Sequence, residues 1–196
     1  SSIILIPVIR LLGAKFKTKE LSGSSTLKPT GKGSVEKLKK VDLCCHQYKA
    51  QGFLGVDGYN YPNVDIVYDL DEPNWPFEDG SVGVFRMQDA LEHLKDPIQT
   101  MKELYRCLAP NGWVLINVPS TDGRGAFQDP THVSFWNEHS FWYYTNASKA
   151  RYIRNKDIRF QSYRLDTWEM APNIPVVSAW LVAIKNETRL PGILSI

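Results

Sequence analysis

Cysteine is scarce in this chain of 196 residues: there are three, with Cys44 and Cys45 adjacent and Cys107 distant. That number and spacing make no disulfide framework and match no zinc-binding pattern, so no metal-ligand set is read from the sequence. A reducing, cytoplasmic compartment is the simpler expectation. The sequons at Asn146 and Asn186 are then chance matches. Long apolar runs are also missing. The longest, Ile3–Ile9, is broken by Pro7, whereas a membrane span needs about 20 apolar residues. Ser1–Leu12 lacks a basic start and a small-residue cleavage site, so a signal peptide is not expected there. Nor is there a large excess of one charge, the formal net charge being +2.

That small net charge conceals a division. Residues 1–40 carry nine Lys/Arg against two Asp/Glu, or +7; residues 41–196 carry 14 against 19, or −5. Leu21–Ser34 is rich in Ser, Gly, Thr and Lys and reads as a linker. The expected organisation is a basic arm and linker at 1–34 and one compact domain at 35–196. A basic arm can touch nucleic acid or phosphate. Only Phe16 stands among its lysines to stack on a base, so no tight nucleic-acid binding is expected. With 43% hydrophobic and 22% charged residues, the composition is that of a globular protein.

Short apolar stretches mark strands at Val41–Leu43, Phe53–Val56, Asp65–Tyr68, Ser81–Met87 and Trp113–Val118, with two later ones at Arg159–Trp168 and Val176–Lys185. Asp96-Pro97 opens a helix, with Asp as N-cap and Pro at its first position. Ile98, Met101, Leu104, Tyr105 and Leu108 recur at helical spacing and give it a buried face. Ala109-Pro110-Asn111-Gly112 ends it. Short strands alternating with helical segments indicate an α/β fold with a largely parallel sheet.

In such sheets ligands bind outside the carboxyl ends of the strands. The residues just past those ends are Cys44-Cys45-His46, Asp57, Asp69-Leu70 and Gln88-Asp89. A carboxylate ending the second strand is placed to accept from two ribose hydroxyls. One after the third can accept from an exocyclic amine. Singly, each is an ordinary cap or turn residue; in this order they suggest a nucleoside-bearing ligand.

Five segments strengthen that reading: Val-Asp-Leu-Cys-Cys-His (41–46), Gly-Phe-Leu-Gly-Val-Asp (52–57), Trp-Pro-Phe-Glu-Asp-Gly-Ser-Val (75–82), Ala-Leu-Glu-His-Leu (90–94) and Glu-Leu-Tyr-Arg-Cys-Leu-Ala-Pro-Asn-Gly-Trp (103–113). Together with Asp69-Leu70 they resemble class I S-adenosylmethionine-dependent methyltransferases of the type 11 kind. The resemblance implies a Rossmann-like, doubly wound, mostly parallel seven-stranded sheet whose late strands form an antiparallel pair. It implies S-adenosylmethionine as cofactor. Asp42, Cys44, Cys45 and His46 would lie beside its methionine part. Asp57 would bind the ribose, Asp69 and Leu70 would flank the adenine, and Gln88 would lie near the reacting centre.

One departure stands out. The family usually has Gly-x-Gly where this chain has Cys44-Cys45-His46. Glycine there permits unusual dihedrals and a close approach of backbone to ligand. The loop either takes an altered path and still binds, binds weakly, or belongs to a domain that has lost the cofactor and serves as a scaffold. A nicotinamide-dependent dehydrogenase fits less well, because no Gly-x-Gly-x-x-Gly cradle remains for a pyrophosphate.

Methyl transfer asks mainly for in-line positioning away from water, and a base only where the acceptor must lose a proton. The acceptor side is expected in Pro119–Tyr144. There Asp129-Pro130-Thr131-His132 offers an imidazole that a carboxylate can orient, or simply a turn holding the loop. Phe135, Trp136, His139, Phe141, Trp142, Tyr143 and Tyr144 either wall a pocket or pack as core. His93 reads as structural, and Trp75 and Phe77 as packing residues. The acceptor itself is not legible in the residues.

Overall fold

A computed structural model describes residues 38–185. The basic arm and linker at 1–34, and Asn186, lie outside the described residues. The strands are β1 (Lys39–Leu43), β2 (Leu54–Asp57), β3 (Ile66–Val67), β4 (Val82–Gln88), β5 (Leu108–Pro119), β6 (Phe160–Ala171) and β7 (Ile174–Ala183). They form one seven-stranded sheet in the order β3-β2-β1-β4-β5-β7-β6. The first five pair in parallel, while β7 pairs antiparallel with both β5 and β6. The chain winds outward from β1 to β3, returns to β4 beside β1, and winds outward again. This is a doubly wound α/β fold whose switch point lies between β1 and β4.

The core follows from strand periodicity. Val41, Leu43, Val56, Phe85, Met87, Val114, Ile116 and Val118 are all essentially inaccessible. Trp75 and Phe77 pack edge-on to Phe85 at 6.0 and 5.9 Å between ring centroids. α1 (Pro97–Cys107) starts as its sequence dictates: the Asp96 side chain accepts from the amides of Ile98 and Gln99. Its buried residues are Thr100, Met101, Glu103, Leu104 and Cys107, while Ile98, expected on that face, is exposed. Glu103 accepts from the Trp75 amide at 2.8 Å. Arg106 donates to the carbonyls of Phe77 and Trp75 and to Asp79. The Glu-x-x-Arg pair of this helix thus clamps the 75–79 segment.

Two expectations change in detail. β5 begins directly after α1, at Leu108, and residues 109–112 bulge within it, with Asn111 at φ 62°. The alternation of strands with helices also fails at the first three crossovers. Parallel strands usually need a dozen or more residues and a helix between them, yet 44–53, 58–65 and 68–81 are loops. Gly55 explains how loops suffice. A Cβ there would meet Cys45 Sγ and Lys49 Cδ at 2.7 Å, so the loop lies flat on the strand in place of a helix. Asp65 fastens it by accepting from Lys49 Nζ and the Gly55 amide, at 2.7 and 2.6 Å.

Past β5 the chain forms α2 (Gly125–Gln128), α3 (Glu138–Thr145) and α4 (Ala147–Ala150). Asn137 and Ser140 make a reciprocal capping box at the start of α3. Trp136, Phe141 and Tyr144 are core residues. Phe135 and Tyr143 are exposed and help line a cavity of about 220 Å³ against Pro97 and Ile153. The aromatics therefore divide between packing and cavity lining. Among the described residues, no helix is long and apolar enough to cross a membrane.

Candidate functional site

The turn after β1 settles where the missing glycines leave the backbone. Cys44 and His46 both adopt left-handed conformations, at φ 52° and 47°. These are the two glycine positions of the Gly-x-Gly pattern. Both residues thus hold a conformation that glycine adopts freely, although it costs a residue bearing a Cβ about 1–2 kcal/mol. The His46 amide donates to Asp57 Oδ2 at 2.9 Å, and that bond helps to hold the turn. The His46 ring leans on Tyr61, with centroids 3.8 Å apart.

Asp57 ends β2 as expected and is 8% exposed. Its other oxygen accepts from the Tyr59 amide at 3.0 Å. An ionised carboxylate offers about four lone-pair sites, so two remain for a ligand. Asp69, after β3, is exposed and caps its own turn by accepting from the Asp71 amide at 3.0 Å. Leu70 is buried, and its carbonyl accepts from the Trp75 indole at 3.0 Å.

Gln88, at the end of β4, is held by a polar ladder that crosses four strands. The Trp168 indole donates to Ser178 Oγ, which donates to Asn117 Oδ1. The Asn117 amide donates to Gln88 Oε1, and Gln88 Nε2 donates to Asp89 Oδ2. These groups sit at cross-strand positions of one face, with Gln88 opposite Asn117 and Asn117 opposite Ser178.

Asp42 and Cys45 are engaged elsewhere. The Asp42 carboxylate is fully buried, pairs with Arg86 Nη1 at 2.8 Å and accepts from the Ala50 amide at 2.8 Å. It braces β1 against β4 and holds the first crossover. Cys45 packs over Gly55, and burial pushes its thiol up to about 11. Cys44 is half-buried. Burial first, and then the Asp57 and Glu92 charges, push its thiol up to about 12. A thiol so far from ionisation is no nucleophile at neutral pH.

On the far side, β4 leads into a single 3-10 turn at Leu91–His93. The loop after α2 comes down on it: the amides of Val133 and Ser134 both donate to the Glu92 carbonyl. Asp129 and His132 lie here, but Asp129 does not orient the imidazole. Its Oδ1 accepts from the Thr131 amide and hydroxyl, and Oδ2 stands 4.0 Å from His132 Nε2. The Ala126 carbonyl holds the ring instead, at 2.9 Å from Nδ1. The carboxylate nearest to Nε2 is Glu92, at 3.9 Å. Glu92 is 2% exposed and neither of its oxygens has a hydrogen-bond partner. Burial, reinforced by Asp89 and Asp129, pushes its pKa up to about 8. His93 joins the group, its ring edge-on to His132 at 5.0 Å. Sequence reasoning passed over Glu92. The available signal was Glu92-His93 directly after a strand, joined by a carboxylate and an imidazole three residues apart after the next strand.

A family model described as a methyltransferase domain matches residues 30–169, well over half of the chain. The chain belongs to the class I S-adenosylmethionine-dependent methyltransferases. No curated protein matches it. Among solved structures, a chain of the complex between the Haloferax volcanii Trm112 methyltransferase activator and a methyltransferase superposes with a TM-score of 0.53 at 15% identity. That match covers 74% of this chain and 82% of the other. The [4+2]-cyclase SpnF gives 0.52 at 10% identity, over 75% and 74% of the two chains. A SAM-dependent methyltransferase from Methanosarcina mazei gives 0.50 at 14%, over 74% and 92%. At such identities the likeness concerns the fold, and within the methyltransferase family that fold has here kept the β1 turn without its glycines.

Proposed function

We propose that this domain binds S-adenosylmethionine across the carboxyl ends of β1, β2 and β4 and transfers its methyl group to an acceptor entering beside residues 119–136. The observation that carries this reading is the left-handed backbone at both Cys44 and His46, kept where a glycine pattern normally stands. Non-glycine residues hold such strain only where the surroundings impose it, and strain of this kind clusters at ligand sites. Asp57 supports the reading with its two remaining acceptor sites, suited to two ribose hydroxyls. Asp69 and Leu70 would flank the adenine.

When bound, the cofactor supplies a sulfonium methyl group that needs little further activation. The work left to the chain is positioning and the exclusion of water. Gln88, fixed by its ladder to Asn117, presents an oriented amide beside the reacting centre. Asp42 acts at one remove, by bracing β1. Asp129 and His132 stand on the acceptor side, where His132 Nε2 offers a bare lone pair.

A second reading, a scaffold domain that has weakened or lost the cofactor, is favoured by one observation: β-carbons at 44 and 46 occupy space that glycine leaves open. Titration calorimetry with S-adenosylhomocysteine separates the two. The enzyme reading expects saturable binding that Asp57→Ala weakens about tenfold or more, since hydrogen bonds to a charged group contribute about 1.5–3 kcal/mol. No binding at millimolar ligand would leave the scaffold reading standing, and saturable binding indifferent to Asp57→Ala would show that Asp57 does not hold the ribose.

A further inference from the structure

The 91–93 turn and the 129–132 loop build a cluster that methyl transfer by itself does not require. Its ring hydrogens and its hydroxyl hydrogen are all directed away from Glu92. The Thr131 hydroxyl donates to Asp129, so toward His93 Nδ1, 3.2 Å away, it acts as an acceptor, as does the Thr131 carbonyl. His93 Nδ1 therefore carries the ring hydrogen and its Nε2 is bare. The Ala126 carbonyl imposes the same tautomer on His132. The bare Nε2 of His132 then stands 3.9 Å from a Glu92 carboxylate that is 98% buried and receives no hydrogen bond. One ligand atom from each of Glu92, His93 and His132 lies within 4.8 Å of the others.

We propose that Glu92, His93 and His132 form a binding site for a divalent transition-metal ion, with Asp129 at its rim. A buried carboxylate that receives no hydrogen bond and faces an imidazole lone pair calls for a cation. Two imidazoles and one carboxylate suit zinc or a neighbouring first-row ion and disfavour magnesium and calcium, which take oxygen ligands. The outer partners fit as well. Ligating histidines generally donate their second ring N–H to a carbonyl, and here the Ala126 and Thr131 carbonyls receive it. Tetrahedral zinc with bonds of about 2.0–2.1 Å needs ligand atoms about 3.3 Å apart. The 3.9 Å between Glu92 Oε1 and His132 Nε2 would have to close by roughly half an ångström, and separations of up to 4.8 Å within the trio by up to about 1.5 Å. Three protein ligands leave a position open to water or to an oxygen of a bound molecule. The 91–93 turn begins three residues after Gln88, so the open position is proposed to adjoin the end of the site where the methyl group moves. On that reading the ion would hold an oxygen acceptor, and His132 serves ligation rather than proton transfer.

The test titrates the metal-free full chain with Co²⁺, without cofactor, so that its failure is distinct from failure of the methyltransferase reading. One equivalent should bind with visible d–d absorption and no sulfur-to-metal charge-transfer band. Zn²⁺ should displace it, and excess Mg²⁺ should not. Glu92→Gln and His93→Ala should each weaken Co²⁺ binding about tenfold or more, the scale on which even outer partners act. His93 is partly exposed, so its variant carries the test if a change at buried Glu92 prevents folding, as checked by circular dichroism. Absence of stoichiometric binding would overturn the proposal. So would a thiolate charge-transfer band, which would place the ion on Cys44 and Cys45, or binding unchanged in the folded variants.

Discussion

At the carboxyl ends of β1 and β2, Asp42 and Asp57 are buried and hydrogen-bonded within the chain, one by Arg86 and Ala50, the other by the amides of His46 and Tyr59. At the 91–93 turn, Glu92 is buried more deeply than Asp57 and receives nothing. The two regions lie at the same edge of one sheet, yet they treat a buried carboxylate in opposite ways. Leaving a polar group unsatisfied costs about 1–3 kcal/mol, and more for a charged one. The first region spends its carboxylates on holding the backbone, including two strained residues. The second leaves one without a donor, the feature on which the proposed metal site rests. A buried carboxylate can thus hold the backbone, as Asp42 does and Asp57 does in part, or stand without a donor, as Glu92 does, and only its partners tell the two apart.

The comparison breaks most visibly where the engaged side loses its counter-charge. Arg86→Met would leave Asp42, which is fully buried, with the Ala50 amide alone. Removing one partner of a buried pair costs about 3–5 kcal/mol. Arg86 is 22% exposed, which moves the expectation to the lower end, about 3 kcal/mol. Urea denaturation measures it. A loss below about 1 kcal/mol would mean that water already screens the pair.

On the other side the same kind of change should act with opposite sign. In the metal-free protein, Glu92→Gln removes an unsatisfied carboxylate and supplies an amide that can donate to His132 Nε2. A gain of about 1–3 kcal/mol in folding stability is expected. Its pH dependence has a definite direction. The carboxyl is pushed up from 4.5 to about 8, so the folded state holds a proton that the unfolded state releases. Wild-type stability therefore falls as pH rises across that interval, and the advantage of the glutamine should grow toward pH 8. Thermal melts of both proteins at pH 5 and pH 8 in the presence of a chelator give the two differences. A destabilised variant at pH 8 would show that Glu92 is partnered in solution.

Much of the fold was legible because local signals and burial agree. Asp96-Pro97 specified the start of α1, and the alternation in 113–118 specified a buried strand. The seven-stranded sheet with its antiparallel late pair came through the resemblance, since pairing of distant strands leaves no local mark. Two features stayed hidden. The loops that replace crossover helices depend on Gly55 lying flat beneath Cys45 and Lys49, a contact between loop and strand with no periodicity to betray it. The cluster around Glu92 joins residues almost forty positions apart, and the Asp129–His132 pairing that drew notice in the sequence is replaced by a backbone carbonyl. Residue type reveals which groups can bind, while tautomer and partner depend on backbone that only the fold supplies.

The smallest effect expected concerns the strained turn itself. Restoring the family pattern with Cys44→Gly and His46→Gly relieves two left-handed residues, each worth about 1–2 kcal/mol. Against that, each glycine adds unfolded-chain entropy worth about 0.5–1 kcal/mol. The loss of the Cys44 packing and of the His46 ring against Tyr61 reduces the gain further. The net change should be within about 1 kcal/mol of zero on the stabilising side, whereas the same pair at ordinary dihedrals would lose stability outright. Ligand affinity responds differently, because the β-carbons sit where the cofactor's methionine part is proposed to pass. If they narrow that space, the double variant should bind S-adenosylhomocysteine more tightly while its stability barely moves. Denaturation and calorimetry on the one variant thus read strain and space separately. Tighter binding with unchanged stability would assign the two non-glycine residues to restraint of the cofactor site. A clear loss of stability without a gain in affinity would show that the turn is held by its side chains, and that the engaged region owes its shape to Cys44 and His46 rather than merely tolerating them.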